Sequence, residues 1–268
     1  MVKIQSSRPP CWYGESAEKR VKTLDFYWSS QRQSLIQNCP ACYKKKYIDK
    51  VPENPFKTRD KKAIYGYGSV AHVAVELAMA GEDLPSEAEI AARAGAQHID
   101  DVKTHVSLLK TKLDVLGLAD ANNETHFLCY IKHPEKDESL DIPLYGILDL
   151  SKLEILGKEK GMHIADTKSG AQKWGKSKCM KHYQFKGYAY AGWAITGKIP
   201  LFDVISLVRS DHKKGKEATV ENQPIDFTMK DLIDFYELTD IAMRLHKQML
   251  AGEWQEQPCT RDFFCPYK

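Results

Sequence analysis

The stretch Ile142 to Leu150 constrains the fold most. It is apolar at both parities of a two-residue period, the pattern of a strand buried on both faces, yet it ends in a carboxylate, Asp149. A second apolar strand, Met162 to Lys168, follows closely, and alternation puts Ile164, Asp166 and Lys168 on one of its faces. Burying an unpaired charge is costly enough that the group shifts its pKa instead. These groups must therefore be paired, solvated in a cleft, or bound to a cation. An Asp–Lys ion pair at a sheet edge accounts for any one of them. Two acids and a lysine at the ends of apolar strands point further, to a metal-dependent site.

At 268 residues the chain suits one large domain or two small ones. Its longest apolar runs are broken by charge or proline short of membrane-spanning length, so no membrane partner is expected. The N-terminus, with Arg8-Pro9-Pro10-Cys11, lacks the apolar core of a signal peptide, which predicts a cytoplasmic protein. A net charge of +3 does not by itself argue for nucleic acid, although Lys44-Lys45-Lys46, Lys173 to Lys181 and Lys213-Lys214 with Lys216 are local basic clusters.

Seven cysteines in such a chain do not suggest a disulfide framework. Cys39-Pro40-Ala41-Cys42 is a C-x2-C, and Cys259 and Cys265 form a C-x5-C near the other end. Four thiolates from these two segments would close a metal cluster or a zinc site tying the chain's ends together. Burial as small hydrophobes is the alternative. Cys11, Cys129 and Cys179 read as ordinary thiols.

Periodicity predicts helix over Glu15 to Lys50 with a break at Asn38-Cys39-Pro40, and over Gly68 to Ala80. Two more helices follow within Ser86 to Leu118, the first opened by a Ser86/Glu89 capping box. Strands are expected at His126 to Lys132, Ile142 to Leu150, Met162 to Lys168 and Leu201 to Arg209. A helix from about Lys178 to Thr196 precedes the last strand, and another from Thr228 to Ala251 closes the chain. That order predicts an α/β fold with a mixed central sheet flanked by helices. Gly66-Tyr67-Gly68-Ser69-Val70-Ala71 fits a loose dinucleotide-binding pattern, but no regular βαβ unit follows it.

Four segments in order complete a recognisable set: Gly68-Ser69-Val70-Ala71-His72 with Glu76, then Gly146-Ile147-Leu148-Asp149, Asp166-Thr167-Lys168-Ser169-Gly170, and Gln184 to Tyr188. Together they resemble the PD-(D/E)XK nuclease superfamily, in particular its RecB-like branch, which includes CRISPR-associated iron-sulfur exonucleases. The resemblance implies one nuclease domain over residues 1–268, with a helical insert at about 82–125 and a cysteine region from about 36–47 and 256–268. It implies a metal-dependent deoxyribonuclease, an exonuclease on single-stranded or free DNA ends.

In that picture Asp149, Asp166, the Thr167 backbone carbonyl and His72 hold magnesium or manganese. Lys168 positions the attacking water or stabilises charge, and Gln184 and Tyr188, sharing a helix face, approach the scissile region. Glu76 is either a partner of His72 or a surface acid. Lys173, Trp174, Lys176 and Lys178 mix charge with an aromatic, as a strand-tracking surface does. Iron-sulfur members supply one cysteine before the core and three after it. Here Glu256 stands where the first of those three is expected, so Cys39, Cys42, Cys259 and Cys265 would hold a [4Fe-4S] cluster two plus two, with zinc as the alternative. A non-catalytic nucleic-acid-binding module with a structural metal is the competing functional class. Cleavage polarity, DNA against RNA, and oligomeric state are not encoded in any of these motifs.

Overall fold

A computed structural model of the chain describes residues 9–53, 55–156, 159–255, 258–259 and 267. Among the described residues six strands form one sheet in the order β1 (Cys11–Tyr13), β2 (Asn122–Cys129), β3 (Leu144–Leu156), β4 (Glu159–Gly170), β5 (Leu201–Val208) and β6 (Thr219–Pro224). All neighbours pair antiparallel except β4 and β5, which are parallel. A parallel pair needs a long crossover. It runs through α7 (Lys176–Met180) and α8 (Tyr183–Thr196). The fold is the expected mixed α/β sheet flanked by helices.

Both faces of the sheet are covered. Leu144, Leu148, Ile164 and Val204 pack with α8 and with α9 (Met229–Leu250), where Tyr190 and Phe235 are fully buried. On the other face Leu150, Ala165, Ile205 and Leu207 pack with α4 (Pro55–Ala80) and α6 (Ile99–Val115) through Val70, Ala74, Val102 and Leu113. Leu148 and Leu150 thus belong to opposite layers, although strict alternation would place them together. The break in alternation falls at Asp149.

Local chemistry sets most boundaries. Ser86 caps α5 (Glu87–Ala94) in the capping box with Glu89. Thr228 and Asp231 do the same for α9. The stretch expected as one helix from Glu15 is divided into α1 (Glu15–Val21), α2 (Ser30–Asn38), α3 (Pro40–Tyr43) and a π-helical turn at Lys44–Ile48. Likewise the helix expected from about Lys178 breaks before His182, the residue that precedes α8. Strands β1 and β6 lie at the sheet's edges and lack the apolar runs of the central four, so periodicity passes over them. The glycine pattern at Gly66-Tyr67-Gly68 lies inside α4, so it opens no dinucleotide-binding turn.

Helices α5 and α6, within the expected insert, cover the sheet with Ile90, Val102, Val106 and Leu109. They form a packed layer, and β2 already begins at Asn122. One cysteine expectation is overturned. Cys11 and Cys129, read as separate thiols, are direct cross-strand partners and are joined by a disulfide tying β1 to β2. Sequence spacing conceals the pair because 118 residues separate them.

Candidate active site

The β3–β4 ladder runs from Leu156↔Glu159 to Leu150↔Ala165 and stops there. The next residues, Asp149 and Asp166, pass beyond its end, where the strands separate. The gap is closed by side chain to backbone bonding: the Thr167 N–H donates to Asp149 Oδ2 at 3.0 Å, and the Thr167 hydroxyl does so at the same distance. Since that hydroxyl donates to Asp149, it accepts from His72 Nδ1, 3.1 Å away. His72 then carries its proton on Nδ1 and presents Nε2 as a lone-pair donor, the tautomer a metal ligand needs. Burial lowers the His72 pKa against the opposing pull of Asp149, so the ring is neutral near neutral pH.

Helix α4 brings His72 this close because Gly68, one turn earlier, lies against β4. A Cβ there would sit 2.8 Å from Ser169 Oγ. The opposite side of the site depends on Gly146 in the same way. A Cβ would meet the Phe127 ring at 2.6 Å.

Asp166 and Lys168 share the α8 side of β4. Asp166 is 0 % exposed, and its Oδ2 is met by the Lys168 ammonium, with Nζ 2.5 Å away. Among the described residues no hydrogen-bond donor reaches the other oxygen, Oδ1. Burial, reinforced by Asp149, pushes the Asp166 pKa up to about 7 despite that lysine. At Lys168 burial works against the charge, but Asp166 and Asp149 together hold its pKa above the usual value. The pair is a carboxylate short of partners beside an ammonium that stays charged.

Gln184 and Tyr188 meet on α8. Gln184 Nε2 donates to the Tyr188 hydroxyl at 2.6 Å, and that hydroxyl donates to the Ile147 carbonyl at 2.5 Å, two residues before Asp149. Tyr188 is buried, and burial followed by Asp166 and Asp149 raises its pKa well above the ordinary range. It is a neutral strut between α8 and β3.

Sequence reasoning missed Glu124. The β2–β3 register pairs Asn123 with Leu150 and Thr125 with Leu148, which leaves Glu124 opposite Asp149. Its backbone is left-handed, at φ 45°, a strained conformation for a glutamate. Glu76, whose role spacing leaves open, reaches the same spot. A small pocket is lined by His72, Glu76, Glu124, Asp149 and Thr167, and the Glu76 pKa is raised by burial and then by Glu124 and Asp149. No local pattern marks Glu124, because its meaning comes from strand pairing.

The basic loop after β4 is divided. Lys173 pairs with Glu221 at 3.2 Å and Lys176 with Asp226 at 3.0 Å. Lys178 Nζ lies 3.5 Å above the Trp174 ring. Trp174 stands 5.2 Å from His182.

Just beyond α2, Cys39 Sγ and Cys42 Sγ each lie 3.4 Å from Cys259 Sγ. Cys39 opens α3, its sulfur accepting the Cys42 N–H at 3.4 Å, and Pro40 takes the first helical position. The three sulfurs lie within 4.8 Å of one another, with Cys39 and Cys42 fully buried. Tetrahedral thiolates around one zinc stand about 3.8 Å apart, so this set fits a metal. Cys265, the expected fourth ligand, lies outside the described residues.

A family model described as the PD-(D/E)XK nuclease superfamily matches residues 27–268, and the chain belongs to that superfamily. No curated protein matches the sequence. A solved structure titled "Crystal structure of SSO0001" is similar at 11% identity over 94% of this chain and 93% of its own, with a TM-score of 0.33. Membership supports a phosphodiester hydrolase acting on nucleic acid. Among the described residues no helix is long and apolar enough to cross a membrane.

Proposed function

We propose that the protein is a magnesium- or manganese-dependent deoxyribonuclease of the RecB-like branch, an exonuclease working on single-stranded or free DNA ends. The observation that carries this reading is Asp166: fully buried, with a second acid beside it, one lysine for the two, and its Oδ1 without a hydrogen-bond partner among the described residues. One lysine pairs with one acid, and two acids sharing that lysine, with a buried oxygen left over, fit a cation.

Asp149, Asp166, the Thr167 carbonyl and the Nε2 of His72 would hold the ion, an oxygen-rich set with one imidazole suited to either metal. When bound, such an ion stabilises charge on the phosphoryl oxygens and lowers the pKa of water. Thr167 holds Asp149 and His72 in orientation through its hydroxyl. Lys168, kept charged by the two acids, positions the attacking water and stabilises charge developing on the phosphate. Its raised pKa makes it a poor general base. Gln184 is aimed by Tyr188 and offers hydrogen bonds to water or phosphate, while Trp174 and Lys178, with Lys173 and Lys176 further out, contact the DNA.

Cys39, Cys42 and Cys259, with Cys265, belong to the same reading as the ligands of a [4Fe-4S] cluster, zinc being the alternative.

The test incubates the full chain with end-labelled linear and with circular single strands, in magnesium, manganese or EDTA. Metal-dependent release of nucleotides from the linear strand alone is expected. Cleavage of the circle would overturn the exonuclease assignment, and no cleavage in either metal would overturn the nuclease assignment.

A further inference from the structure

An open groove of about 780 Å³ separates α2 from the N-terminal end of α8, and no motif assigns it a role. One wall is a face of α2 made of Gln31, Ser34, Gln37 and Asn38, exposed positions three or four apart. A helix face that only meets solvent ordinarily carries charges; this one carries amides and hydroxyls. The opposite wall is Lys181, His182 and Gln184, and Lys46 with Tyr47 stands at one end. Among the described residues no carboxylate lines the groove, although the chain holds 36 acidic residues.

The groove leads to the reacting centre. Gln184 is shared between its wall and the Tyr188 hydroxyl. The His182 ring lies 4.6 Å from Phe185, and Lys168 Nζ is 5.4 Å above that same Phe185 ring. Trp174, with Lys178 over its ring, lies 5.2 Å from the His182 ring. The His182 side chain makes no capping bond to α8, and its Nδ1 is buried without a hydrogen-bond partner among the described residues. The first turn of this 14-residue helix therefore faces the groove without a side-chain cap, at the end where its dipole favours an anion.

We propose that this groove holds a single strand of nucleic acid over a few nucleotides on its way into the active site. Lys181 and the start of α8 meet phosphates, the amides of α2 meet unpaired base edges, and Tyr47 offers a stacking face. This inference rests on the nuclease reading and says where its substrate lies. Lys173 and Lys176 do not line the groove and are each paired with an acid, Glu221 and Asp226.

The test introduces carboxylates into the groove, Lys181→Glu and Gln37→Glu, and measures the affinity of a fluorescent 12-nucleotide single strand and of the matching duplex by anisotropy. Lys168→Ala serves as background so that nothing is cleaved. Each groove variant is expected to weaken single-strand binding about 10-fold, and Lys181→Glu to flatten the salt dependence by about 0.7 in log–log slope, the value of one single-strand phosphate. The duplex should lose less. Lys110→Glu, on the exposed face of α6, is the matched charge control. Groove variants that bind like that control, or an equal loss for duplex and single strand, would overturn the proposal. Photocrosslinking of a bromouracil-bearing strand to the wild-type chain gives an independent readout: a crosslink at Tyr47 is expected, and crosslinks confined to the α4–α6 face would overturn it. The wild-type cleavage gel keeps the two claims apart. A chain that crosslinks at Tyr47 but cleaves nothing leaves the groove standing and the nuclease reading refuted.

Discussion

The acidic corner and the cysteine corner solve the same problem in opposite ways. At Asp149 and Asp166 the costly groups come from adjacent strands, and the site opens because a ladder ends one residue before each of them. At Cys39, Cys42 and Cys259 they come from segments more than 200 residues apart, held by a short helix and an aromatic neighbour, Trp254. The sheet presents its acids whether or not an ion is bound, so repulsion and desolvation are stored in the folded protein. Thiols near neutral pH are largely uncharged and cost little to bury without metal. The acidic corner should therefore govern reactivity, and the cysteine corner should govern how firmly the chain's ends are joined.

The largest expected effect breaks the comparison at the acidic side. Asp166→Ala and Lys168→Ala should each lower cleavage by about 100-fold to 10,000-fold. Circular dichroism and the cysteine-bound metal should stay unchanged. Full activity in either variant, measured on the end-labelled gel, would remove these residues from the chemistry.

Next comes the other corner. Cys42→Ser and Cys259→Ser should lose the bound metal by elemental analysis, at a cost of roughly 3 kcal/mol or more, which for a chain of this length lowers Tm by about 6–12 °C. Initial cleavage rates well below Tm should change far less than in the Lys168 variant. Iron would show as broad absorbance near 400 nm, whereas a colourless protein with stoichiometric zinc, prepared without air, would settle the metal the other way. Equal metal content in wild type and both variants would mean that the thiols are only packed.

How much of this the sequence could show follows the same division. Asp149, Asp166 and Lys168 were legible because costly residues stood out against apolar strands, and the central strands and the capped helices announced themselves by period and cap chemistry. Cys11–Cys129 and Glu124 were not. Each owes its meaning to cross-strand register, Cys11↔Cys129 in one case and the position opposite Asp149 in the other, and a linear pattern carries no register. The groove beside α8 was hidden for a similar reason. Its walls come from segments about 150 residues apart, and the helix break before His182 that opens it interrupts a stretch whose periodicity reads as continuous.

The stored cost at Asp166 gives a pH test. Its pKa is about 7 when folded against an ordinary 3.8, so between those values the folded chain binds a proton that the unfolded chain has released. Stability without metal should fall as pH rises through that window and level off above it. Asp166→Asn should flatten the slope and, in EDTA at pH 8, raise Tm. A structural Asp–Lys ion pair predicts the reverse, because breaking it strands Lys168. Scanning fluorimetry from pH 5 to 8, with and without manganese, reads both. Manganese should restore the wild type most at the alkaline end, where no proton competes for the carboxylate.

The smallest effect concerns the residue with no linear signal. Glu124 carries a left-handed backbone and faces Asp149 across the β2–β3 pair, so two local costs meet in one side chain. Glycine adopts φ 45° freely and removes the carboxylate, and Glu124→Gly should stabilise the metal-free protein by about 1 kcal/mol, a Tm rise of roughly 2–4 °C. If the strain is retained because the carboxylate helps hold the ion, the same variant should need more manganese for half-maximal cleavage, and the gain in Tm should vanish when manganese is added. Glu124→Gln separates the two costs, since it keeps the strained backbone but removes the charge that opposes Asp149 and raises the Glu76 pKa. An unchanged manganese requirement in both variants would assign Glu124 to the surface and leave the cost at this corner to Asp149 and Asp166.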